Sequence, residues 1–335
     1  MTWLTWRQYR AQGAVAVALL AVAAAAIIAD GLRIAAQWHS VLVSCAGNSA
    51  CLQQQGPLVN GVVSDLPYIC LIVPVALGLL CGAPLVAHEF ETRTCDFAWA
   101  QSITRTRWLA VKVGWLLLAA AVWGGVIAAL VTWWSGPRNA AFGNAFQSNY
   151  FDQQGLVPVA YAVFATALGI AAGAVLRRTL PAIAIVIGGF IGMRLWISQD
   201  LRMHFMAPVT TFYGVAANFN PPAGSINTGG GLIDKAGQLV TGQFGNVMID
   251  GVPSASLPAA CQRLIPASAS GPAGPSNATL NAVYGCLQQA GYRQFLSYQP
   301  ISRWWAFQGI ETGIYLAVAL LLVAVTFYVV RHRDA

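Results

Sequence analysis

The chain has 335 residues, of which 57% are hydrophobic and only 9% charged, with a mean hydropathy of +0.60. Soluble domains carry roughly a quarter charged residues, so this composition excludes a soluble globular protein and points to one embedded in a bilayer. The net charge of +7 would suit nucleic acid, but no basic face belongs to a folded soluble stretch, and that role is set aside.

Residues 1–13 form a short amphipathic arm carrying Trp3, Trp6, Arg7, Tyr9 and Arg10. The apolar run 14–34 is long enough to cross a bilayer. Its length and aromatic flank mark an uncleaved first span rather than a signal peptide. Asp30 and Arg33 are expected to close it, and a polar loop with Cys45 and Cys51 leads to Asp65. The second span, 66–87, contains Pro67, Pro74 and Pro84, which membrane helices tolerate where neighbours satisfy the freed carbonyls.

The stretch 88–112 is the densest polar surface in the chain. Glu89, Glu91 and Asp96 come first, then Phe97, Trp99 and Trp108, with Arg93, Arg105, Arg107 and Lys112 among and after them. Aromatics at headgroup depth with charges toward water suit a helix lying at the bilayer face. Such a face is either simply solvated or a docking surface for a soluble partner.

The third span, 109–134, has Trp108 at one end and Trp133 and Trp134 at the other, an aromatic belt at both interfaces. A polar connection over 135–157 precedes the fourth span, 158–176; after the Arg177-Arg178 turn the fifth runs over 181–198. Residues 199–303 turn to Gly, Pro, Ser and Asn but retain apolar patches, which predicts an irregular folded domain outside the bilayer. The sixth span, 304–330, ends in a basic tail, 331–335.

Six spans place both termini on one side. The arm, the stretch 88–112, the Arg177-Arg178 turn and the tail hold ten of the 18 Lys and Arg, which makes that side cytoplasmic. Cys45, Cys51, Cys261 and Cys286 then all lie outside, where disulfides form. Four cysteines allow three connectivities; local pairing, Cys45 with Cys51 and Cys261 with Cys286, closes the shortest loops and is the expected one.

Within the sixth span Gln308, Glu311, Thr312 and Tyr315 share one face. An acid at that depth must be paired or hydrated, and Arg194 is its expected partner, either as a structural ion pair or as part of a polar path. Gly78 and Gly82, Gly169 and Gly173, and Gly188 and Gly192 have the spacing of close helix packing. No GxxxxGK[ST] occurs, so the chain has no phosphate-cradling loop. His88-Glu89 lacks the second His of a zinc protease motif, and the acids of 199–303 are scattered.

The block Gly82-Ala83-Pro84-Leu85-Val86-Ala87, the acids Glu89 and Glu91, and the run from Trp99 through Leu109 to Lys112 resemble the membrane subunit of type-2 ABC exporters, especially the high-GC bacterial branch. Arg93-Thr94 stands where that family has Gly-Thr. The resemblance implies an all-α polytopic membrane protein with six transmembrane helices and a cytoplasmic coupling helix at 88–108; the large extracytoplasmic domain between spans five and six is read from the composition of 199–303 and is much longer than the short re-entrant hairpin that the family commonly has there. The resemblance also implies that Glu89, Glu91, Arg93, Arg105, Arg107 and Lys112 face a separate ATPase, with the N-terminal arm lying against it as well. ATP and Mg²⁺ would then be bound by two partner subunits, with no cofactor on this chain. Two copies of the chain in a bacterial cytoplasmic membrane would export an amphipathic or hydrophobic compound. The alternatives are a membrane-embedded lipid-modifying enzyme and a non-transporting sensor or assembly factor.

Overall fold

The computed structural model describes residues 2–46, 48, 51, 54–55, 72, 74–76, 78–84, 87, 91, 104–142, 146, 148–215, 217, 219, 221–222, 224–240, 248–249, 252–253, 256–266 and 276–332. In chain order its main elements are α1 (Thr2–Cys45), a π-helical turn (Gly78–Gly82), α2 (Arg105–Phe142), α3 (Val157–Leu176), α4 (Thr179–Trp196), β1 (Val209–Gly214), β2 (Ile226–Ile233), β3 (Met248–Ile249), β4 (Val252–Pro253), α5 (Asn277–Gln289), β5 (Arg293–Gln299) and α6 (Trp304–His332). They form two compact units, Met1–Phe205 with Trp304–Ala335, and Met206–Arg303.

Five helical stretches among the described residues are long and apolar enough to cross a membrane: Ala21–Cys45, Thr106–Gly136, Val157–Leu176, Thr179–His204 and Ile301–His332. The expected second span is described at residues 72, 74–76, 78–84 and 87, which are helical, with the π-helical turn Gly78–Gly82 among them; its first part, 66–71, lies outside the described residues.

Helix α3 is the hub of the first unit. Its span is 72% buried, against 22–28% for the other four, and it packs against α2, α4, α6 and the π-helical turn. Small residues make this possible. A Cβ on Gly169 would lie 2.5 Å from the Gly78 carbonyl oxygen, and one on Gly78 would lie 2.6 Å from that of Ala165. The backbones therefore touch, as the glycine spacing predicts. Gly188 and Gly192 have nothing within 4 Å of such an atom, so among the described residues that pair makes no close crossing.

Helix α1 corrects the expected end of the first span. It runs unbroken through Asp30 and Arg33 to Cys45, and the arm 1–13 is its first part from Thr2 onward. Asp30 is 4% exposed and accepts a hydrogen bond from Trp134 Nε1 at 3.0 Å. The indole supplies the donor that a buried carboxylate needs, so the acid does not have to mark an interface. Ile27, Ile34, Ile127, Val131 and Trp134 form one buried cluster between α1 and α2.

The fifth span also continues beyond its expected end at residue 198. After Trp196 the chain makes a π-helical turn, Ile197–Leu201, and a 3-10 turn, Arg202–His204. Arg202 therefore belongs to the membrane unit and not to the segment after it.

The unit Met206–Arg303 corrects the all-α expectation. It holds a three-stranded antiparallel sheet in the order β1-β5-β2, with Phe212 opposite Phe295 and a bulge between Asn227 and Gly229, and a short β3-β4 pair. Its core joins Val215, Leu232, Leu257, Cys261, Val283 and Leu287. Ser276 caps α5 by accepting from Thr279 N at 3.3 Å. Arg303 donates to the Ala207 carbonyl at 2.6 Å and to Gln299 Oε1 at 2.7 Å, and Gln299 donates to the Met206 carbonyl at 2.6 Å, so the two ends of the unit are tied together.

Both expected disulfides are present. Cys45–Cys51 closes the end of α1, and Cys261–Cys286 links the short helix Ala259–Gln262 to α5, with Cα separations of 5.5 and 5.6 Å.

Candidate functional site

The polar face of α6 turns inward. Gln308, Glu311 and Tyr315 are each 0% exposed. Glu311 meets Arg202 through Nε to Oε2 and Nη2 to Oε1, both 3.0 Å, a fork that fits a carboxylate edge. Tyr161 on α3 donates its hydroxyl to Glu311 Oε1 at 2.9 Å. Arg202 Nη2 also donates to Asp152 Oδ1, and its guanidinium lies 4.3 Å from the Phe151 ring centre.

Arg194 is therefore not Glu311's direct partner, as the sequence suggested. It donates Nε to Asp152 Oδ2 at 2.8 Å and places Nη2 2.7 Å from the same oxygen. Asp152 bridges the two arginines, so Arg194, Asp152, Arg202 and Glu311 form one network of two cations and two anions. The physical reason is depth and reach. Beyond Trp196 the wider π-helical turn carries Arg202 onto the α3–α6 seam, while Arg194 keeps a 17% exposed side chain on α4.

Gln308 completes the joint. Its Oε1 accepts from Leu156 N at 3.0 Å and Val157 N at 3.1 Å, and its Nε2 donates to the Phe151 carbonyl at 3.0 Å. The first turn of α3 has no side-chain cap of its own, so α6 supplies the acceptor that its free N–H groups require. Tyr315 stacks edge-on against Tyr161 with centroids 4.7 Å apart. Asp152, Tyr161 and Arg202 escaped the sequence reading because two of them sit in segments that look like loops. The signal available was Glu311 itself, which demanded a cation at matching depth.

The stretch 88–112 is described in part. Glu89 and Arg93 lie outside the described residues, and Arg105 opens α2. Arg107 is exposed. Lys112 is 7% exposed with Nζ 4.6 Å from the Trp108 ring centre, so its stem is packed and its charge is held over an aromatic face. Glu91 makes the unexpected contact. Its two carboxylate oxygens accept from Thr179 N at 2.8 Å and from Thr179 Oγ1 at 2.9 Å.

These features define a polytopic helical membrane protein whose bundle is braced by a buried ion network. The chain belongs to the family described as ABC-2 membrane transporter related, whose pattern matches residues 17–202, more than half of its length. It is thus an ABC-2-type permease, a class that pairs with ABC ATPase subunits. No curated protein and no solved structure matches the chain.

Proposed function

We propose that the chain is the membrane subunit of an ATP-driven exporter, working as two copies with two ABC ATPase subunits and moving an amphipathic or hydrophobic compound out of a bacterial cell. The observation that carries this reading is the family match over 17–202, which contains the whole stretch 88–112. In this reading residues 88–108 take the ATPase's movement, with Glu89, Arg93, Arg105 and Arg107 on the facing surface. ATP and Mg²⁺ belong to the partner. Both termini lie in the cytoplasm and Met206–Arg303 lies outside the cytoplasmic membrane, an orientation supported by the basic Arg177-Arg178 turn and by disulfides at Cys45 and Cys261.

The network around Arg202 and Glu311 acts as the brace of each bundle. Its acids are 0% exposed, which supports an architectural role for Gln308, Glu311, Tyr315 and Arg194 rather than a water-filled path. The unit Met206–Arg303 serves as a lid in release of the compound. The test is ATP-dependent uptake of a fluorescent lipophilic cation into inverted vesicles carrying this chain and an ABC ATPase from its own operon. Vanadate-sensitive uptake is expected; equal dye accumulation with and without ATP would exclude the exporter reading, and unchanged uptake after deletion of 215–295 would exclude the lid.

A further inference from the structure

Glu91 lies in the stretch expected to face the ATPase, yet both its described oxygen contacts go to Thr179, 88 residues away, at the first residue of α4. Three observations give that contact consequences. First, α4 begins without a cap from its own sequence: Arg178 is extended and makes no side-chain cap hydrogen bond. Glu91 supplies both the acceptor and the negative charge that a helix N-terminus favours.

Second, there is little slack between α3 and α4. Arg177 takes a left-handed conformation with φ 52° and donates its N–H to the Gly173 carbonyl at 2.9 Å, so only Arg177 and Arg178 separate the two helices. Third, the chain just before Glu91 is clamped on α3. A Cβ on Gly173 would lie 2.7 Å from the Ala83 carbonyl oxygen, and Ala83, Ala172 and Ala182 form one buried cluster.

We propose that Glu91 is a positioning residue that latches the ATPase-facing stretch to the start of α4, so that displacement of that stretch is delivered to the fifth span as well as to its own flanking spans. This rests on the exporter reading above. Glu91 thereby acts within the permease and not as an ATPase contact, which separates it from Glu89 and Arg107. Thr179 meets Glu91 through two donors on one residue, so its hydroxyl and its backbone N–H are held together. A stroke applied at Glu91 moves the α4 N-terminus, and the two-residue turn carries the end of α3 with it.

The experiment uses the permease and its ATPase in nanodiscs, with nitroxide labels on Ala184→Cys of α4 and Tyr328→Cys of α6, both exposed positions, in a background lacking Cys70, Cys81 and Cys95. Double electron–electron resonance reads the 184–328 distance before and after ATP with vanadate. In the parent, the distance distribution is expected to shift on vanadate trapping. In Glu91→Ala the shift is expected to be lost, and in Thr179→Val, which keeps the backbone N–H bond, to be reduced, with the ATPase still bound at the parent's ratio and ATP turnover within about twofold. Glu91→Gln, which keeps one acceptor, is expected to restore part of the shift. Retention of the full shift in both variants overturns the latch. So does loss of the ATPase from Glu91→Ala but not from Thr179→Val, which would place Glu91 on the partner's surface. A merely structural cap would lower folded yield and ATP turnover together, without separating turnover from movement. Failure of the parent to bind any ATPase is a different result: it removes the exporter reading, and the latch with it.

Discussion

Arg202 and Glu311, 109 residues apart in sequence, meet inside the membrane unit through two 3.0 Å hydrogen bonds, with side chains 4% and 0% exposed. Taking either charge out of water costs several kcal/mol, and the cost is offset only when the partner and the remaining donors are in place. Asp152 and Tyr161 provide them. Arg202→Ala or Glu311→Ala therefore leaves an uncompensated buried charge and is expected to lower stability by about 3–5 kcal/mol. The joint change Arg202→Met with Glu311→Leu is expected to cost much less than either alone. Thermal unfolding of the detergent-solubilised protein measures both; additive losses would contradict the pairing.

Gln308 supports the same joint by satisfying three backbone groups. Gln308→Leu strands two N–H groups and a carbonyl, each worth roughly 1–3 kcal/mol when buried and unpaired. Gln308→Glu keeps the acceptor for Leu156 and Val157 while losing the donor to Phe151. The expected order of melting temperature is wild type, then Glu, then Leu.

The glycine contacts make a contrasting set. Gly169→Leu would drive a side chain into the backbone of the π-helical turn, where even a Cβ meets the Gly78 carbonyl oxygen at 2.5 Å. Overpacking of this kind costs about 1–3 kcal/mol or more, and folded yield is expected to collapse. Gly188→Ala and Gly192→Ala meet nothing within 4 Å and are expected to leave the monomer's yield unchanged in size-exclusion profiles.

In the unit Met206–Arg303 the Cys261–Cys286 bond closes a 25-residue separation. Loop-closure entropy assigns such a crosslink about 3.5 kcal/mol. Cys261→Ser with Cys286→Ser is expected to make this unit sensitive to limited proteolysis at concentrations of urea that leave the oxidised protein intact. Equal resistance of the two would contradict a stapling role.

What could be read from sequence follows from how local each signal is. The α6 stripe was legible because Gln308, Glu311 and Tyr315 repeat at helical spacing, and all three are buried in the structure. The cysteine pairs were legible because each partner lies within a short stretch of its own segment. Asp30 misled because an acid in an apolar run reads as a boundary until Trp134, 104 residues on, is known to face it. β2 was illegible for a different reason: Gly229, Gly230 and Gly231 have poor strand propensity, and only pairing with Ser297, Leu296 and Phe295 of β5 makes them a strand. The link from Glu91 to Thr179 likewise exists only in three dimensions.

The measurement that tests the central claim most directly is co-purification of the tagged chain from its native membrane, followed by an ATPase assay with and without Glu89→Ala and Arg105→Ala. The account predicts that an ABC ATPase subunit accompanies the parent protein, and that the double change abolishes its binding or its membrane-dependent turnover. Gentle extraction that yields the intact chain with no nucleotide-binding partner would contradict it, and would leave the stretch 88–112 as an interfacial helix alone.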